Sequence, residues 1–322
     1  PRDAHRSFNC PPAQSPTELA LRIETGLQPT PCAEPARVKI IRTTSAMADW
    51  SRCLHREGVT IGFVPTMGAL HGGHRALIRA ARLACDAVVV SIFVNPAQFA
   101  PTEDLAKYPR QFRLDRALCA KEGVDAIFTP TAAAMYPASF QSIVAVPGLA
   151  RRWEGEARPH HFQGVATVVT KLLSLVQPDI SWFGQKDFQQ AALVRQLAKD
   201  LNLPGTLKVH PTVRERDGLA LSSRNVYLSA HQREVAPVLY RALQAGAAAI
   251  RGGERRGERV QRLMAHIIKA ERSVTPEYLA VCDPSTLELL PTIQRHAILI
   301  GAIRLGTVRL LDNMPVVIRS RS

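Results

Sequence analysis

The chain has 322 residues, of which 46% are hydrophobic and 21% are charged. This composition is typical of soluble globular proteins, and the length suits two domains better than one. The longest apolar runs are far shorter than the roughly 20 residues that a membrane-spanning helix needs, so we predict no transmembrane segment and no membrane partner.

The net charge of +14 comes from 41 basic and 27 acidic residues. Such a balance suits a nucleic-acid-binding protein, an enzyme for anionic substrates, or a merely basic surface. The densest basic cluster, RGGERRGER at 251–259, is interleaved with glutamates and contains no aromatic residue. A solvated helix face explains this cluster better than a nucleic-acid contact, and we predict no nucleic-acid partner.

The six cysteines include no CxxC pair, and their spacing fits neither a zinc site nor a small disulfide scaffold. Most stand in apolar surroundings, as reduced core residues do, and we expect a cytoplasmic protein. Residues 1–37 are rich in proline and polar residues and lack the apolar core of a secretory signal. We predict that this segment is a disordered extension.

From residue 38 onwards, short apolar runs alternate with helical patterns. Runs that are apolar throughout are typical of strands covered on both faces. Strands are predicted at 38–42, 59–64, 87–94, 125–129, 142–146, 179–183 and 207–213. Helices are predicted at about 46–57, 74–85, 111–122, 163–176 and 187–201. The alternation indicates an α/β fold with a Rossmann-like, doubly wound parallel sheet.

The pattern changes after about residue 212. Ser229 and Gln232 form a capping box that predicts the start of a long helix. A second helix near 256–271 and two β runs, AILIGAIRL and TVRLLD, follow. We therefore predict a nucleotide-binding domain over 38–212, a smaller α+β domain over 213–314 that closes as a lid, and a tail at 315–322.

The stretch FVPTMGALHGGHRALIRAAR places two histidines around a glycine pair where a buried strand gives way to a helix. His71 and His74 are three residues apart and share a helix face. The N-terminus of a helix attracts phosphate through its unpaired N–H groups, and the glycines allow a ligand to approach the backbone. Two imidazoles there can donate hydrogen bonds to a phosphate whose charge builds up in a transition state. A zinc site is disfavoured because no further Cys or His lies close in sequence.

The H-x-G-H pattern resembles the signature of a nucleotidyltransferase superfamily whose members attack the α-phosphate of ATP. Four further stretches narrow the choice. They are SIFVNPAQF, EDLAKYPR, HFQGVATVVTKLLSLVQPDISWFGQKDFQQ and RERDGLALSSRNVYLS. Together, from about Val38 to Asn313, they resemble the pantoate–β-alanine ligases, or pantothenate synthetases. The resemblance implies an ATP-dependent ligase that joins pantoate to β-alanine through a pantoyl-adenylate, releases AMP and pyrophosphate, and forms a homodimer.

The resemblance also implies an ATP site, composed of Met67, Gly68, Ala69, Leu70, His71, Gly72, Gly73, His74, Gly184, Gln185, Lys186, Asp187, Val213, Leu221, Ser222, Ser223 and Arg224. His74, His71 and Lys186 are the expected catalytic residues, with Lys186 at the phosphates and Asp187 near the ribose. The hydroxyls of the serine pair and the guanidinium beside them suit a β,γ-phosphate clamp, because arginine offers a planar fork of donors.

For the other substrates, the resemblance makes Gln98 and Gln190 the contacts of pantoate, with Gln98 also near β-alanine. An amide can hold a small hydroxy acid without adding charge. Asp115 stands where the family has a magnesium-associated acid. Mg²⁺ itself is expected because it commonly carries nucleotide phosphates.

Three positions depart from the family pattern. The family has H-E-G-H where this chain has Gly72, and M-S-S-R where it has Leu221. We expect both changes to leave the polar ligand contacts in place. In the family a glycine usually precedes the histidine of the HFQGV motif. Here His160 takes that place, which puts the backbone geometry of the loop in question.

Two other functions remain open. A nucleotidylyltransferase would release a stable adenylylated product instead of AMP, and the product distinguishes it from a ligase. An RNA-binding protein with an inactive site would show a steep salt dependence of RNA affinity, although no aromatic–basic platform appears in the sequence.

Overall fold

The structure is a computed structural model that describes residues 38–100, 105–106 and 108–318. The extension predicted at 1–37 lies outside the described residues. Six parallel strands form the main sheet, in the order β1-β4-β3-β2-β5-β6. They are β1 (Lys39–Ile41), β2 (Ile61–Thr66), β3 (Ala87–Ile92), β4 (Ala126–Phe128), β5 (Ile180–Gly184) and β6 (Thr206–His210).

Helices cover both faces of this sheet, as the apolar strands predicted. They are α1 (Thr44–Arg56), α2 (Gly72–Ala84), α3 (Phe112–Lys121), α4 (Ala132–Met135), α5 (Pro147–Ala150), α6 (Glu154–Ala157), α7 (His161–Val176) and α8 (Phe188–Asp200). On one face, Val64 of β2 packs in a core with Ile78 of α2. On the other, Phe63 packs with residues of α1, α7 and α8. The doubly wound α/β fold is therefore confirmed.

The strand order places a topological switch beside β2. From β2 the chain continues outward through β3 and β4 on one side, whereas β5 and β6 extend the sheet on the other side. The connections leaving β2 and β5 therefore diverge and open a crevice at their carboxyl ends, where open α/β sheets bind ligands. His71 follows β2 and Lys186 follows β5, so the fold brings these two predicted residues to one crevice.

The strand predicted at 142–146 is wrong. Within the described residues this run belongs to no strand or sheet. The amide of Val144 instead donates to the Thr167 hydroxyl at 3.1 Å. Its β-branched composition favours an extended backbone, yet a strand also requires a neighbouring strand, which the run itself cannot supply.

The C-terminal part contains α9 (Ala230–Val235), α10 (Val238–Arg251) and α11 (Gly257–Lys269), with an antiparallel sheet β7-β8-β9. The strands are β7 (Thr275–Cys282), β8 (His296–Leu305) and β9 (Val308–Val317). The capping box at Ser229 is confirmed, but the helix it starts ends at Val235 because Pro237 interrupts the backbone bonds and begins α10.

The sequence analysis needs two corrections for this sheet. It did not predict β7, because the first residues of that strand are exposed and include Pro276. The tail predicted from residue 315 begins too early, since β9 continues to Val317 and Val316 is buried in the core. The domain boundary predicted at 212–213 stays a prediction.

The small sheet is buried on both faces. Leu279 and Val281 of β7 pack in a core with α10 and α11. Ala280 and Cys282, which point the other way, join the core of the parallel sheet. A buried ion pair also links the two parts: Glu154 of α6 accepts hydrogen bonds from Arg309 of β9 at 2.6 and 2.7 Å.

None of the helices in the described ranges combines the length and apolarity that a bilayer crossing requires.

Candidate active site

A cavity of about 220 Å³ opens at the carboxyl ends of β2 and β5. We call it the central cavity. Most of the predicted site residues line it, namely Met67, His71, Gly73, His74, Gln98, Gly184, Lys186, Asp187, Gln190, Val213, Leu221, Ser222, Ser223 and Arg224. The remaining predicted residues do not line it, namely Gly68, Ala69, Leu70, Gly72, Gln185 and Asp115. The fold thus assembles four sequence motifs around one space.

The two histidines begin α2 as a reciprocal cap. His71 is the N-cap residue, and its Nδ1 accepts the amide hydrogen of Gly73 at 3.1 Å. The Nδ1 of His74 accepts the amide hydrogen of His71 at 3.3 Å. The ring centroids are 4.2 Å apart. The expectation that both rings share a face is confirmed, and the capping contacts hold them rigidly.

These contacts determine which ring nitrogens carry protons. A backbone amide can only donate, so Nδ1 of each ring is an acceptor and the proton of each neutral ring lies on Nε2. Burial lowers the pKa of His71 to about 4, aided by the nearby Lys186 charge and opposed by Asp187. Burial likewise lowers the pKa of His74 to about 3, aided by His71. At neutral pH the pair therefore offers two uncharged Nε2–H donors.

Asp115 fastens the loop between β2 and α2. It is 2% exposed, and its two carboxylate oxygens accept the amide hydrogens of Leu70 at 2.8 Å and Ala69 at 3.0 Å. The loop needs such support, because Gly68 and Ala69 both have positive φ values, of 85° and 51°. The magnesium role of Asp115 stays a prediction, and the structure shows each of its carboxylate oxygens bound to a backbone amide of the loop.

The turn after β5 presents the lysine. The Lys186 Nζ lies 3.3 Å from the Asp187 carboxylate. Burial would raise the pKa of Asp187, but the charges of Lys186 and Arg224 outweigh it and hold that pKa below its usual value. From β9, the buried Asn313 amide donates to the carbonyl oxygens of Gln185 at 2.8 Å and Lys186 at 2.9 Å. A residue that is far away in the sequence therefore fixes the backbone of the turn that carries Lys186.

The serine–arginine loop closes another side of the central cavity. The Leu221 amide donates to the Val213 carbonyl at 3.0 Å, which places both predicted residues side by side. The Ser222 hydroxyl accepts the Arg224 amide hydrogen at 3.3 Å, so its own proton remains available to a ligand. A larger outer cavity of about 1230 Å³ shares Lys186, Ser222, Ser223 and Arg224 with the central one. Long anions can therefore extend from one cavity into the other.

Gln98 is held in a polar cluster. It is buried, its Nε2 lies 2.9 Å from the Met67 sulfur, and its Oε1 accepts from Asn95 at 3.2 Å. The Asn95 Oδ1 in turn accepts from the Tyr136 hydroxyl at 2.9 Å. Gln190 lines the same cavity. The same cavity has an apolar wall, formed by Phe93, Val165, Val168, Val169 and Leu172.

A third, side cavity of about 100 Å³ adjoins the central one. It shares Met67, Gln98, Lys186, Asp187, Gln190 and Arg224 with it and adds Arg158, His161 and Asn313. Sequence reasoning missed these last three as site residues. The signal for two of them was present, because His161 is the first residue of the HFQGV motif and Arg158 stands three residues before it. Nothing in the sequence around Asn313 indicated its contact with a turn far away in the chain.

The departure at His160 causes no strain. His160 has φ −96° and ψ −9°, which lies in the right-handed region open to every residue. Its side chain is exposed. The doubt that the sequence raised about this loop is therefore resolved, and a glycine is not needed there.

Within the ranges that the structure describes, no group of three or more His, Cys, Asp or Glu could hold a metal ion. In the central cavity, the carboxylate of Asp187 stands beside the cations of Lys186 and Arg224. One carboxylate suits an ion that arrives on phosphate oxygens and keeps most of its water. It does not suit a resident, fully protein-bound metal.

Comparisons with known proteins agree with this geometry. The family model described as pantoate-beta-alanine ligase matches residues 39–315. The pantothenate synthetase of Chloroflexus aggregans is 54% identical over 254 residues, which cover 79% of this chain and 92% of that relative. The pantothenate synthetase of Heliobacterium modesticaldum is 47% identical over 279 residues, or 87% of this chain and 99% of that relative.

Solved structures show the same similarity. A crystal structure of pantothenate synthetase from Thermus thermophilus has a TM-score of 0.81 at 45% identity, covering 86% of this chain and 99% of that one. A pantoate-beta-alanine ligase from Francisella tularensis, complexed with beta-gamma ATP and beta-alanine, has a TM-score of 0.71 at 33% identity. It covers 86% of this chain and 97% of that one.

Proposed function

This chain belongs to the pantoate–β-alanine ligase family, and from that premise we propose how its own residues carry out the reaction. The enzyme condenses pantoate with β-alanine to give pantothenate, using ATP. In the first half-reaction the pantoate carboxylate attacks the α-phosphorus and pyrophosphate leaves. In the second, the amine of β-alanine attacks the acyl-adenylate and AMP leaves.

The histidine pair binds the α-phosphate. The Nε2–H groups of His71 and His74 stand at the edge of the central cavity, and both rings are neutral at physiological pH. They donate to the non-bridging oxygens as negative charge accumulates there, and the capping bonds prevent the rings from turning away. Because neither ring carries charge, Lys186 and Arg224 supply the electrostatic attraction for the phosphates.

The polyphosphate extends from the central cavity into the outer one. Lys186, Ser222, Ser223 and Arg224 line both spaces, as a clamp for the β- and γ-phosphates requires. Pyrophosphate can then leave through the outer cavity without crossing the acyl site. Val213 and Leu221 line the central cavity beside this loop and contact the nucleoside.

Magnesium enters with ATP as part of the substrate. The ion neutralises phosphate charge, and Asp187 is the carboxylate that stands among the phosphate-binding cations. Asp115 keeps the role of a loop anchor. These assignments predict that metal dependence follows the nucleotide and that the enzyme without ATP retains little divalent cation.

Pantoate lies between the two glutamines and the apolar wall. Its hydroxyl groups need hydrogen-bond partners, and its dimethyl carbon needs an apolar surface. Gln98 and Gln190 meet the first need, while Phe93 and the valines of α7 meet the second. This division explains why a cavity for an anion contains so many aliphatic side chains.

We also propose that the protein is a cytoplasmic homodimer. The family resemblance supports the dimer, and light scattering on the purified protein would test it. The four cysteines among the described residues, Cys53, Cys85, Cys119 and Cys282, are free thiols, as a reducing compartment allows.

The observation that carries the proposal is the convergence of the histidine pair, Lys186 and Arg224 on one cavity. The test mixes ATP, Mg²⁺ and pantoate, and measures exchange of labelled pyrophosphate into ATP with and without β-alanine. Exchange without β-alanine, and AMP and pantothenate with it, are expected. A stable adenylylated product that persists with β-alanine would instead identify a nucleotidylyltransferase.

A further inference from the structure

Two consecutive polar residues are buried in β9, the last strand of the small sheet. Asp312 is 5% exposed and Asn313 is 2% exposed. Burying a carboxylate or an amide costs free energy unless hydrogen-bond partners satisfy it. The role of this pair is therefore defined by the groups that its two side chains contact.

Asn313 uses its whole side-chain amide on one turn. Its Nδ2 donates to the backbone carbonyl oxygens of Gln185 at 2.8 Å and Lys186 at 2.9 Å. Its Oδ1 accepts from the side-chain Nε2 of Gln185 at 3.2 Å. Both partners belong to the single turn of 3₁₀ helix at Gln185–Asp187. Three bonds from one side chain leave this turn little freedom, so β9 sets the position of the lysine backbone.

Asp312 holds Arg214 in a buried, forked ion pair. Its two oxygens accept from Nη1 and Nη2 of the guanidinium, the latter at 2.9 Å. The same Nη2 donates to the backbone carbonyl of Asn313 at 3.3 Å, and Nη1 donates to the carbonyl of Gly218 at 3.1 Å. The guanidinium carbon lies 4.2 Å from the centre of the Tyr240 ring. Two-pronged pairing and stacking together fix the orientation of this arginine.

Arg214 stands at the base of the serine–arginine loop. It forms an isolated antiparallel bridge with Ala220, and next to that bridge the Leu221 amide donates to the Val213 carbonyl at 3.0 Å. The loop residues 222–224 follow directly. Holding Arg214 therefore holds the start of the segment that carries Arg224, just as Asn313 holds the turn that carries Lys186.

We propose that Asp312 and Asn313 are positioning residues that keep the two phosphate-binding segments in one arrangement. The inference rests on the proposed function, in which Lys186 and Arg224 bind the phosphates of ATP. A cation stabilises a developing charge best when it is already in place, and a displacement of about 1 Å can cost roughly a hundredfold in rate. Because the two anchors are neighbours on one strand, β9 sets both cations at once.

Asn313→Leu tests the anchor of the lysine turn. The variant keeps an apolar side chain of similar size and leaves two buried carbonyl oxygens without a donor. Its affinity for ATP should fall roughly tenfold or more, as expected when a charge-assisted bond to phosphate is misplaced. The KM for pantoate should stay unchanged. Asn313→Asp, which keeps the shape and also loses the donor, should show the same selective loss and serves if the leucine variant folds poorly.

A double-mutant cycle shows whether Asn313 acts through the lysine. ATP binding without pantoate is measured by calorimetry in wild type, Asn313→Leu, Lys186→Met and the double variant. In the Lys186→Met background, Asn313→Leu should change the affinity by less than about twofold, the limit expected when the interaction is already gone. Equal losses in both backgrounds would overturn the proposal for Asn313.

The corresponding cycle for Asp312 uses the serine–arginine loop. Asp312→Asn breaks the charge pairing with Arg214 and should lower ATP affinity roughly tenfold, whereas in an Arg224→Met background it should change the affinity by less than about twofold. A loss of the same size in both backgrounds would remove Asp312 from the proposal.

Gln261→Leu is the matched control. The Gln261 side-chain amide of α11 donates to the Leu279 carbonyl of β7 at 2.7 Å, a bond of the same kind in the same small sheet, and Gln261 lines none of the three cavities. It should lower the Tm and leave ATP affinity at the wild-type value. A loss of affinity equal to that of Asn313→Leu would reduce the pair to a structural role. Failure of wild type to exchange pyrophosphate while it still binds ATP would instead overturn the proposed function.

Discussion

Gly72 lies against Leu221, which lines the central cavity. A Cβ atom on Gly72 would be 2.9 Å from the Leu221 Cδ1. These are two of the three positions at which the chain departs from its family's pattern, where an acid and a methionine stand instead. The two departures therefore share one space, which the sequence could not reveal because the residues belong to separate motifs.

This contact predicts coupling between the two positions. Gly72→Glu alone should displace the Leu221 side chain, at a small cost in stability because Cδ1 is the mobile end of that side chain, and should raise the KM for ATP. Adding Leu221→Ala should remove most of that cost, as denaturation and ATP kinetics on a double-mutant cycle would measure. Gly148→Glu is the control, because a Cβ there meets nothing within 4 Å. Strict additivity of the two changes would contradict the contact.

Asp115→Asn should damage the phosphate-binding loop. One of the two oxygens becomes an NH₂ group that faces a backbone amide, and a buried unsatisfied donor costs about 1–3 kcal/mol. We expect a higher KM for ATP and a lower Tm, with an unchanged dependence of rate on Mg²⁺ at saturating ATP. A selective rise in the Mg²⁺ requirement would show that Asp115 is a metal ligand after all.

The half-buried histidines predict a loss of stability in acid. The ordinary histidine pKa is 6.5, and the folded values are about 4 for His71 and about 3 for His74. Below pH 6.5 the unfolded chain binds protons at these two histidines that the folded protein does not bind. The contribution of the two neutral rings to the free energy of unfolding is therefore fully present above pH 6.5 and falls as the pH decreases towards 3.

Denaturant unfolding at about pH 7.5 and about pH 5 would measure this loss. In His74→Asn the side-chain oxygen can keep the cap while the titrating ring is gone, so the variant should lose less stability over the same interval than wild type. Pyrophosphate exchange by wild type should also persist to about pH 5, where both rings remain neutral. An exchange rate that falls with a midpoint near 6.5 would contradict the assigned protonation states.

Gly164 allows α7 to approach the turn that carries Gln98. A Cβ on Gly164 would lie 2.2 Å from the Ala97 carbonyl oxygen, a backbone atom that cannot turn aside. Gly164→Ala should therefore cost about 1–3 kcal/mol or more and weaken pantoate binding more than ATP binding. Gly148→Ala, with open space at its Cβ, should be silent in both measurements. Equal effects on the two KM values would argue against a local displacement of Gln98.

The sequence alone determined the alternation of strands and helices, the parallel sheet, the histidine pair at the start of a helix and the family, because these features depend on residues that are near one another in the chain. Periodicity reports burial, and motifs report local chemistry. The same local view misjudged residues 142–146, whose composition favours a strand that has no neighbour among the described residues.

Only the tertiary structure decided what lies opposite each motif. It turned Asp115 into a loop anchor, placed Asn313 beneath the lysine turn and brought Gly72 to Leu221. It also set backbone amide hydrogens against the Nδ1 atoms of His71 and His74, and a backbone carbonyl oxygen against the Nδ1 of His161. For Asp115, Asn313 and His161, which backbone atom meets the side chain depends on the packing of distant segments, and no local pattern in the sequence encodes it.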